Sequence, residues 1–213
     1  YIVRKELRGA ADGLEERTVM ELLRKLHHPH IIELLGSYEQ NGVHNFLFPC
    51  AQRDLHQFFR SQNGLIADEL YSSMYRLADA LAYIHRYTYR DDNVQLERIG
   101  YHHDLRPANI LQFGKTFVVA DFGLSKLKPQ DQTSKSRLRG GQDDYLSPEA
   151  FNESNWTIGN VGRASDVWAF GCILAEFATY IEGESVEYFH NTRKASYGDA
   201  FMSMTDHAFH LGG

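Results

Sequence analysis

The 213-residue sequence predicts an α+β protein of two lobes, a small mostly-β lobe first and a larger mostly-α lobe after it. Two observations carry this expectation. Strand-like runs separated by turn signals fill residues 1–50, and from Asp54 onward apolar residues recur at helical spacing. Tyr1 to Leu7 reads as a short strand, followed by a loop containing Gly9 and Gly13. Glu15 to Leu26 has helical spacing, with Val19, Leu22, Leu23 and Leu26 on one stripe, and His28-Pro29 ends it because proline blocks continuation. Ile31 to Tyr38 and Val43 to Phe48 read as two strands joined by the turn Gln40-Asn41-Gly42.

The second region opens with a short helix, Asp54 to Arg60. A long one follows from Asp68 to Arg86, with Leu70, Met74, Leu77, Leu81 and Ile84 on its apolar face. Tyr87 to Gly100 is polar and aperiodic and reads as a loop insertion. Ile110-Leu111 and Phe117 to Ala120 read as short strands around Gly114-Lys115, and Leu124 to Tyr145 as a polar loop containing Gly140-Gly141. Ser165 to Tyr180 is apolar enough to predict a buried helix. Beyond Glu182 the pattern weakens, with no terminal helix bundle and no internal repeat.

Bulk properties narrow the function classes. The net charge of −6 comes from interspersed acids and bases, which points away from nucleic acid and anionic membranes as partners. Cys50 and Cys172, the two cysteines, each lie in an apolar run and form no disulfide framework, so a reduced cytosolic or nuclear compartment is expected. No apolar stretch approaches the ~20 residues that span a bilayer. The opening Tyr1-Ile2-Val3-Arg4-Lys5 lacks an initiator methionine and looks like the middle of a strand, which predicts a fragment of a longer protein.

The chemistry concentrates in His102-His103-Asp104-Leu105-Arg106-Pro107-Ala108-Asn109-Ile110-Leu111, followed a dozen residues on by Asp121-Phe122-Gly123. Phosphoryl transfer asks little covalent chemistry of a protein: one group to orient the attacking hydroxyl and oxygens to hold Mg²⁺ against the phosphates. Asp104 can supply the first, as a base accepting the hydroxyl proton, and Asn109 and Asp121 the others. Singly, such residues in a proline-containing loop are turn formers. Jointly, in this order and spacing, they read as a site.

This run resembles the catalytic loop and metal-binding triplet of the eukaryotic protein kinases of the Ser/Thr type, in a divergent form whose hinge proline, Pro49, is similar to that of fungal members. Ser147-Pro148-Glu149 resembles the motif closing the activation segment. Asp166-Val167-Trp168-Ala169-Phe170-Gly171 resembles the start of the large buried helix, where Asp166 would accept hydrogen bonds from the catalytic-loop main chain. Leu26 to Leu34 resembles the link from the regulatory helix into the next strand. The resemblance implies a two-lobed kinase-like fold, with the amino-terminal lobe and hinge in residues 1–50 and the carboxy-terminal lobe in 51–213. It implies ATP and Mg²⁺ as cofactors and a protein substrate. ATP would lie near Lys5, the phosphate-binding lysine, and near Phe48, the residue narrowing the back pocket. Cys50 and Ala51 would meet the adenine edge, with Leu111 on the floor and Asp121 at the phosphates. Asp104 would be the catalytic base, Arg106 would offset charge on the transferring group, and Asn109 and Asp121 would hold the metal. His102 and Phe122 would pack beneath the loop.

Several positions depart from the family pattern. Val19 falls where the lysine's glutamate partner belongs, and Glu15 and Glu16 lie one turn earlier, where an acidic first turn suits the helix dipole. Glu16 would substitute only if the helix shifted. His103 replaces the arginine that pairs with a phosphorylated loop residue, which predicts weak dependence on phosphorylation at Thr133, Ser134 or Ser136. Gln142 stands where Ser/Thr kinases carry threonine, while Pro107 after Arg106 favours Ser/Thr substrates. The glycine-rich phosphate loop would precede Tyr1, and the arginine partner of Glu149 would follow Gly213. That leaves Glu149 unpaired and predicts an inactive or marginally stable fragment of a competent parent.

Two other functions compete: a pseudokinase that binds partners without transfer, and a kinase-like enzyme acting on a small molecule. The intact Asp104, Asn109 and Asp121 oppose the first, and the Ser147 and Asp166 motifs oppose the second. The doublets His27-His28 and His102-His103 predict no metal site, because adjacent side chains diverge and no further ligands stand at zinc spacing.

Overall fold

Residues 1–7, 26–61, 65–86, 88–91, 94–122, 126–129, 136–137, 143–152, 157–158, 160–193, 195–197, 204–206 and 209 are described by a computed structural model. The helix expected over Glu15–Leu26, with Val19, Glu15 and Glu16, lies outside the described residues apart from Leu26, as do Thr133, Ser134 and Gln142.

The amino-terminal strands β1 (Ile2–Leu7), β2 (Gly36–Gln40) and β3 (Val43–Pro49) form an antiparallel sheet with β3 in the middle. Asn41 and Gly42 turn β2 into β3 with φ of 53° and 74°, the pair of left-handed residues that a tight hairpin demands. The strand expected from Ile31 starts five residues late, at Gly36. Ile31 instead makes a lone parallel bridge to Val119, and the Ile32 N–H donates to the Val119 carbonyl at 2.9 Å. Buried Ile31, Ile32 and Leu34 explain the strand-like composition, but they precede β2, and the main chain at Ile31 and Ile32 turns to Val119 of the second lobe.

Strand β4 (Arg53–Asp54) leads into α1 (Leu55–Phe59), where the Asp54 carboxylate accepts the Gln57 N–H at 2.7 Å and Gln57 returns the bond as a capping box. The long helix α2 (Ala67–His85) buries Leu70, Leu77, Leu81 and Ile84, matching its sequence stripe. The stretch read as a loop insertion is a hairpin, β5 (Thr88–Asp91) and β6 (Val94–Tyr101), paired from Thr88↔Glu97 to Asp91↔Val94. The apolar–polar alternation Val94-Gln95-Leu96-Glu97 carried that signal in the sequence. Strands β7 (Ile110–Phe113) and β8 (Thr116–Val119) form the expected hairpin around Gly114, whose φ is 61°. Within the expected polar loop, β9 (Lys126–Pro129) pairs with β6, and Ser136–Arg137 pairs with Asn160–Val161.

The central helix α3 (Arg163–Ile181) is buried along Asp166, Ala169, Phe170, Ile173, Glu176 and Phe177. Past Glu182, where the pattern weakens, the chain still makes α4 (Val186–Thr192), capped by the Ser185 hydroxyl, and pairs Ala195–Tyr197 with Met204–Asp206. Edge-on aromatic contacts knit the core. Phe58 meets Phe117 at 5.2 Å and Phe59 meets Phe177 at 5.2 Å, so α1, β8 and α3 form one block beneath the loop that follows β6. Among the described residues no helix is long and apolar enough to cross a membrane.

Candidate active site

The loop between β6 and β7 is held from below by one buried carboxylate. Asp166, 1% exposed at the start of α3, accepts the N–H groups of His102 (2.7 Å) and His103 (2.9 Å) and pairs with the His85 ring at 2.9 Å. Burial alone would push this carboxyl up. The His85 hydrogen bond, the field of His102 and its main-chain N–H outweigh it and hold the carboxyl below the usual range. His102 is fully buried, with its ring against the Ala120 carbonyl (2.9 Å) and 4.9 Å from the Phe122 ring, so both residues pack as expected. His103 sits at φ 68°, uncommon for a residue with a side chain, and its ring meets Tyr101 edge-on at 4.3 Å.

Asp104 and Asn109 are joined directly. The Asn109 amide donates to the Asp104 main-chain oxygen (2.7 Å) and carboxylate (2.8 Å), while Arg106 Nε lies 3.4 Å from the other carboxylate oxygen. Held from both sides, the Asp104 carboxylate is fixed in direction while its side chain keeps 13% exposure. The Pro107–Asn109 turn then delivers the chain into β7, and the Asn109 carbonyl accepts the Ala120 N–H at 2.8 Å. That bond sets Asn109 next to Asp121, which follows Ala120 at a φ of 58°.

Lys5 reaches the same place from the other lobe. Its Nζ lies 2.8 Å from Asp121 Oδ1, across 116 positions of sequence. Two links make the meeting possible: Lys5 stands opposite Phe46 in the sheet, and the Val119 N–H donates to the His30 carbonyl at 2.8 Å, tying the lobes together beside Asp121. Lys5 and Asp121 thus pair with each other.

Other predicted positions lie nearby with less definition. Phe48 pairs opposite Val3 and packs on the core, and Leu111 is half-buried between Asp54 and Val118. At the strand exit Cys50 is exposed, Ala51 is half-buried, and the Cys50 N–H is spent on the Tyr1 carbonyl at 3.2 Å. Glu149 is exposed, so the expected cost of a buried unpaired carboxylate does not arise.

The sequence reading overlooked a second buried acid. Glu176, fully buried in α3, accepts the Tyr145 hydroxyl at 2.6 Å and meets the His190 ring of α4. Burial and this neighbouring carboxylate push the Tyr145 phenol up, and burial followed by Glu176 pushes the Cys172 thiol up to about 12. With Ser147 donating to Ser165 at 2.8 Å, Tyr145 moors the stretch before Pro148 onto α3. A lone glutamate inside an apolar helix was the available signal. Beside this mooring a cavity of about 1310 Å³ opens, lined by Arg106, Pro107, Arg60, Tyr145 and Glu187 among others.

Donor chemistry accommodates a divalent cation at Asn109 and Asp121. Both Asn109 amide protons face Asp104, which leaves the amide oxygen for a cation, and Asp121 adds a half-exposed carboxylate. Among the described residues no group of three or more His, Cys, Asp or Glu could hold a metal unaided. Such a two-oxygen set suits a cation that also takes oxygens from a bound phosphate.

Comparison with known proteins bears on this arrangement. A model of the protein kinase domain family matches residues 3–204. Serine/threonine-protein kinase ICK of Rattus norvegicus is 30% identical over 161 residues, covering 74% of this chain and 23% of the relative. Serine/threonine-protein kinase MAK of Rattus norvegicus is 28% identical over 162 residues, with 74% and 23% covered. Serine/threonine-protein kinase VIK of Arabidopsis thaliana is 30% identical over 175 residues, with 79% and 36% covered. The chain spans about a quarter of the length of ICK and MAK.

Proposed function

This chain belongs to the protein kinase family, and on that premise we propose that it transfers the γ-phosphoryl group of Mg·ATP to serine and threonine hydroxyls of proteins. The observation that carries the proposal is the convergence of Lys5, Asp104, Asn109 and Asp121 from separate stretches of chain onto one linked set of contacts.

Each residue has a part. Asp104, directed by Asn109 and Arg106, orients the substrate hydroxyl and accepts its proton as the oxygen attacks. Arg106 keeps its guanidinium beside that carboxylate and offsets charge on the group in transfer. Lys5 places an ammonium at Asp121, where it would grip phosphate oxygens, and Asn109 and Asp121 would hold Mg²⁺. When bound, Mg²⁺ neutralises charge on the phosphates. Phe48, Cys50, Ala51 and Leu111 would frame the adenine. The wide cavity beside Arg106 suits a polypeptide better than a small metabolite. Pro107 and the likeness to serine/threonine-protein kinases support serine and threonine as acceptors. Both cysteines are free, which supports a reducing compartment, cytosol or nucleus.

The roles of the acids separate experimentally. Asp121→Asn should weaken ATP binding by about tenfold or more in Mg²⁺, ~1.4 kcal/mol, and leave binding in EDTA nearly unchanged. Titration calorimetry with and without Mg²⁺ checks this, and equal weakening in both conditions would contradict a metal-holding role.

A further inference from the structure

Two walls of the cavity beside Arg106 converge on one oxygen atom. Tyr145, in the stretch before Pro148, and His190, in α4, both line that cavity. The Tyr145 hydroxyl donates to Glu176 Oε1 at 2.6 Å, and His190 Nε2 meets the same oxygen. Glu176 is fully buried, and among the described residues its Oε2 has no donor. The spacing of the two walls is therefore set at Oε1, and a buried carboxylate satisfied on one oxygen depends on both of its donors.

The donors and acceptors around His190 fix the state of its ring. Arg193 Nη2 lies 2.9 Å from His190 Nδ1, and a guanidinium has N–H donors but no acceptor. Nδ1 must therefore accept, which leaves the ring proton on Nε2, the atom facing Glu176. Arg193 is itself caged, with its guanidinium 3.5 Å from the centre of the Phe209 ring and 4.7 Å from that of Phe189. The Phe209 N–H donates to the Asp144 carbonyl at 3.4 Å, next to Tyr145. The set closes on itself, from Tyr145 through Glu176, His190 and Arg193 to Phe209, whose ring stands 5.9 Å from that of Tyr145.

We propose that His190 is a positioning residue for the acceptor protein. Held as an Nε2–H donor by Arg193, it sets through Glu176 the separation of α4 from Tyr145, and so the width of the cavity in which the acceptor chain lies. This rests on the phosphoryl-transfer reading above. His190 touches no reacting group, and Lys5, Asn109 and Asp121 stand outside the set, so its loss bears on the acceptor and not on ATP.

The test uses the protein in its natural reading frame, with His190→Ala, His190→Gln and the milder Arg193→Met. Acceptor KM, ATP KM, kcat and thermal midpoint are read for each. His190→Ala should raise the acceptor KM about tenfold, with kcat and ATP KM within about twofold. Glutamine keeps an N–H for Glu176 and an oxygen for Arg193, so His190→Gln should return the acceptor KM to within about threefold of the unaltered value. Arg193→Met should raise it by about threefold, which keeps a reading if His190→Ala fails to fold. The ring itself is followed by ¹⁵N NMR, its signal assigned by its loss in His190→Gln, and the proton should sit on Nε2 alone. A proton on Nδ1, equal effects of alanine and glutamine, or an ATP KM that rises with the acceptor KM would each overturn the proposal. Absence of transfer by the unaltered protein would sink the phosphoryl-transfer reading instead, and the NMR signal would still decide whether Arg193 fixes the His190 ring.

Discussion

Asp104→Asn should lower phosphoryl transfer by about 10²–10⁴-fold, the usual contribution of a positioned general base, with Mg·ATP affinity nearly unchanged. The substitution preserves shape and removes the proton acceptor. Asn109 donates to both the main-chain oxygen and the carboxylate of residue 104, and an amide oxygen can replace the second acceptor, so the loop keeps its form. Arg106 loses its carboxylate partner at 3.4 Å, but a third of its side chain is exposed and solvent compensates it. The expected loss therefore falls on kcat. Single-turnover transfer with calorimetric ATP binding checks this, and a parallel loss of ATP affinity would assign Asp104 to binding.

Asp166→Ala should destabilise the protein by about 3–5 kcal/mol, the cost of removing one partner from a buried charged cluster. The N–H groups of His102 and His103 and the His85 ring would lose their acceptor. A thermal midpoint lower by about 6–20 °C follows for a chain of this size. The depressed carboxyl also sets a pH dependence. Its contribution is present above the unfolded value near ~3.9 and is lost as pH falls through the lower folded value. Urea unfolding from about pH 7 to pH 3 should show this loss in the unaltered protein and a shallower slope in Asp166→Asn. Identical slopes would remove Asp166 from that role.

Local chemistry decided what was legible in the sequence. The Asn41-Gly42 turn was readable because few other residues accept positive φ twice in succession. Helices α2 and α3 were readable from apolar spacing and from sheer apolar content. The beginning of β2 was not, because Ile31, Ile32 and Leu34 are apolar for the sake of burial while the Ile32 N–H donates to Val119 of β8. The β5–β6 hairpin was hidden because strands with one polar face resemble loops in composition.

The spacing of Asp104, Asn109 and Asp121 predicts a site, and the structure brings these residues and Lys5 close to one another. What lay beyond sequence reasoning was pairing across long separations. With Val19 where the lysine's glutamate partner belongs, the sequence offered Lys5 no clear partner, and the structure pairs it with Asp121. His85 and Asp166 meet across 81 positions, with nothing local to link them. Tyr145 and Glu176 escaped notice for the same reason.

The most direct test is transfer of labelled γ-phosphate from Mg·ATP to a generic protein substrate by the protein in its natural reading frame, followed by phosphoamino-acid analysis. The account predicts label on serine and threonine, absent with Asp104→Asn. No label from protein shown by circular dichroism to be folded would contradict it and leave the domain as a binding module.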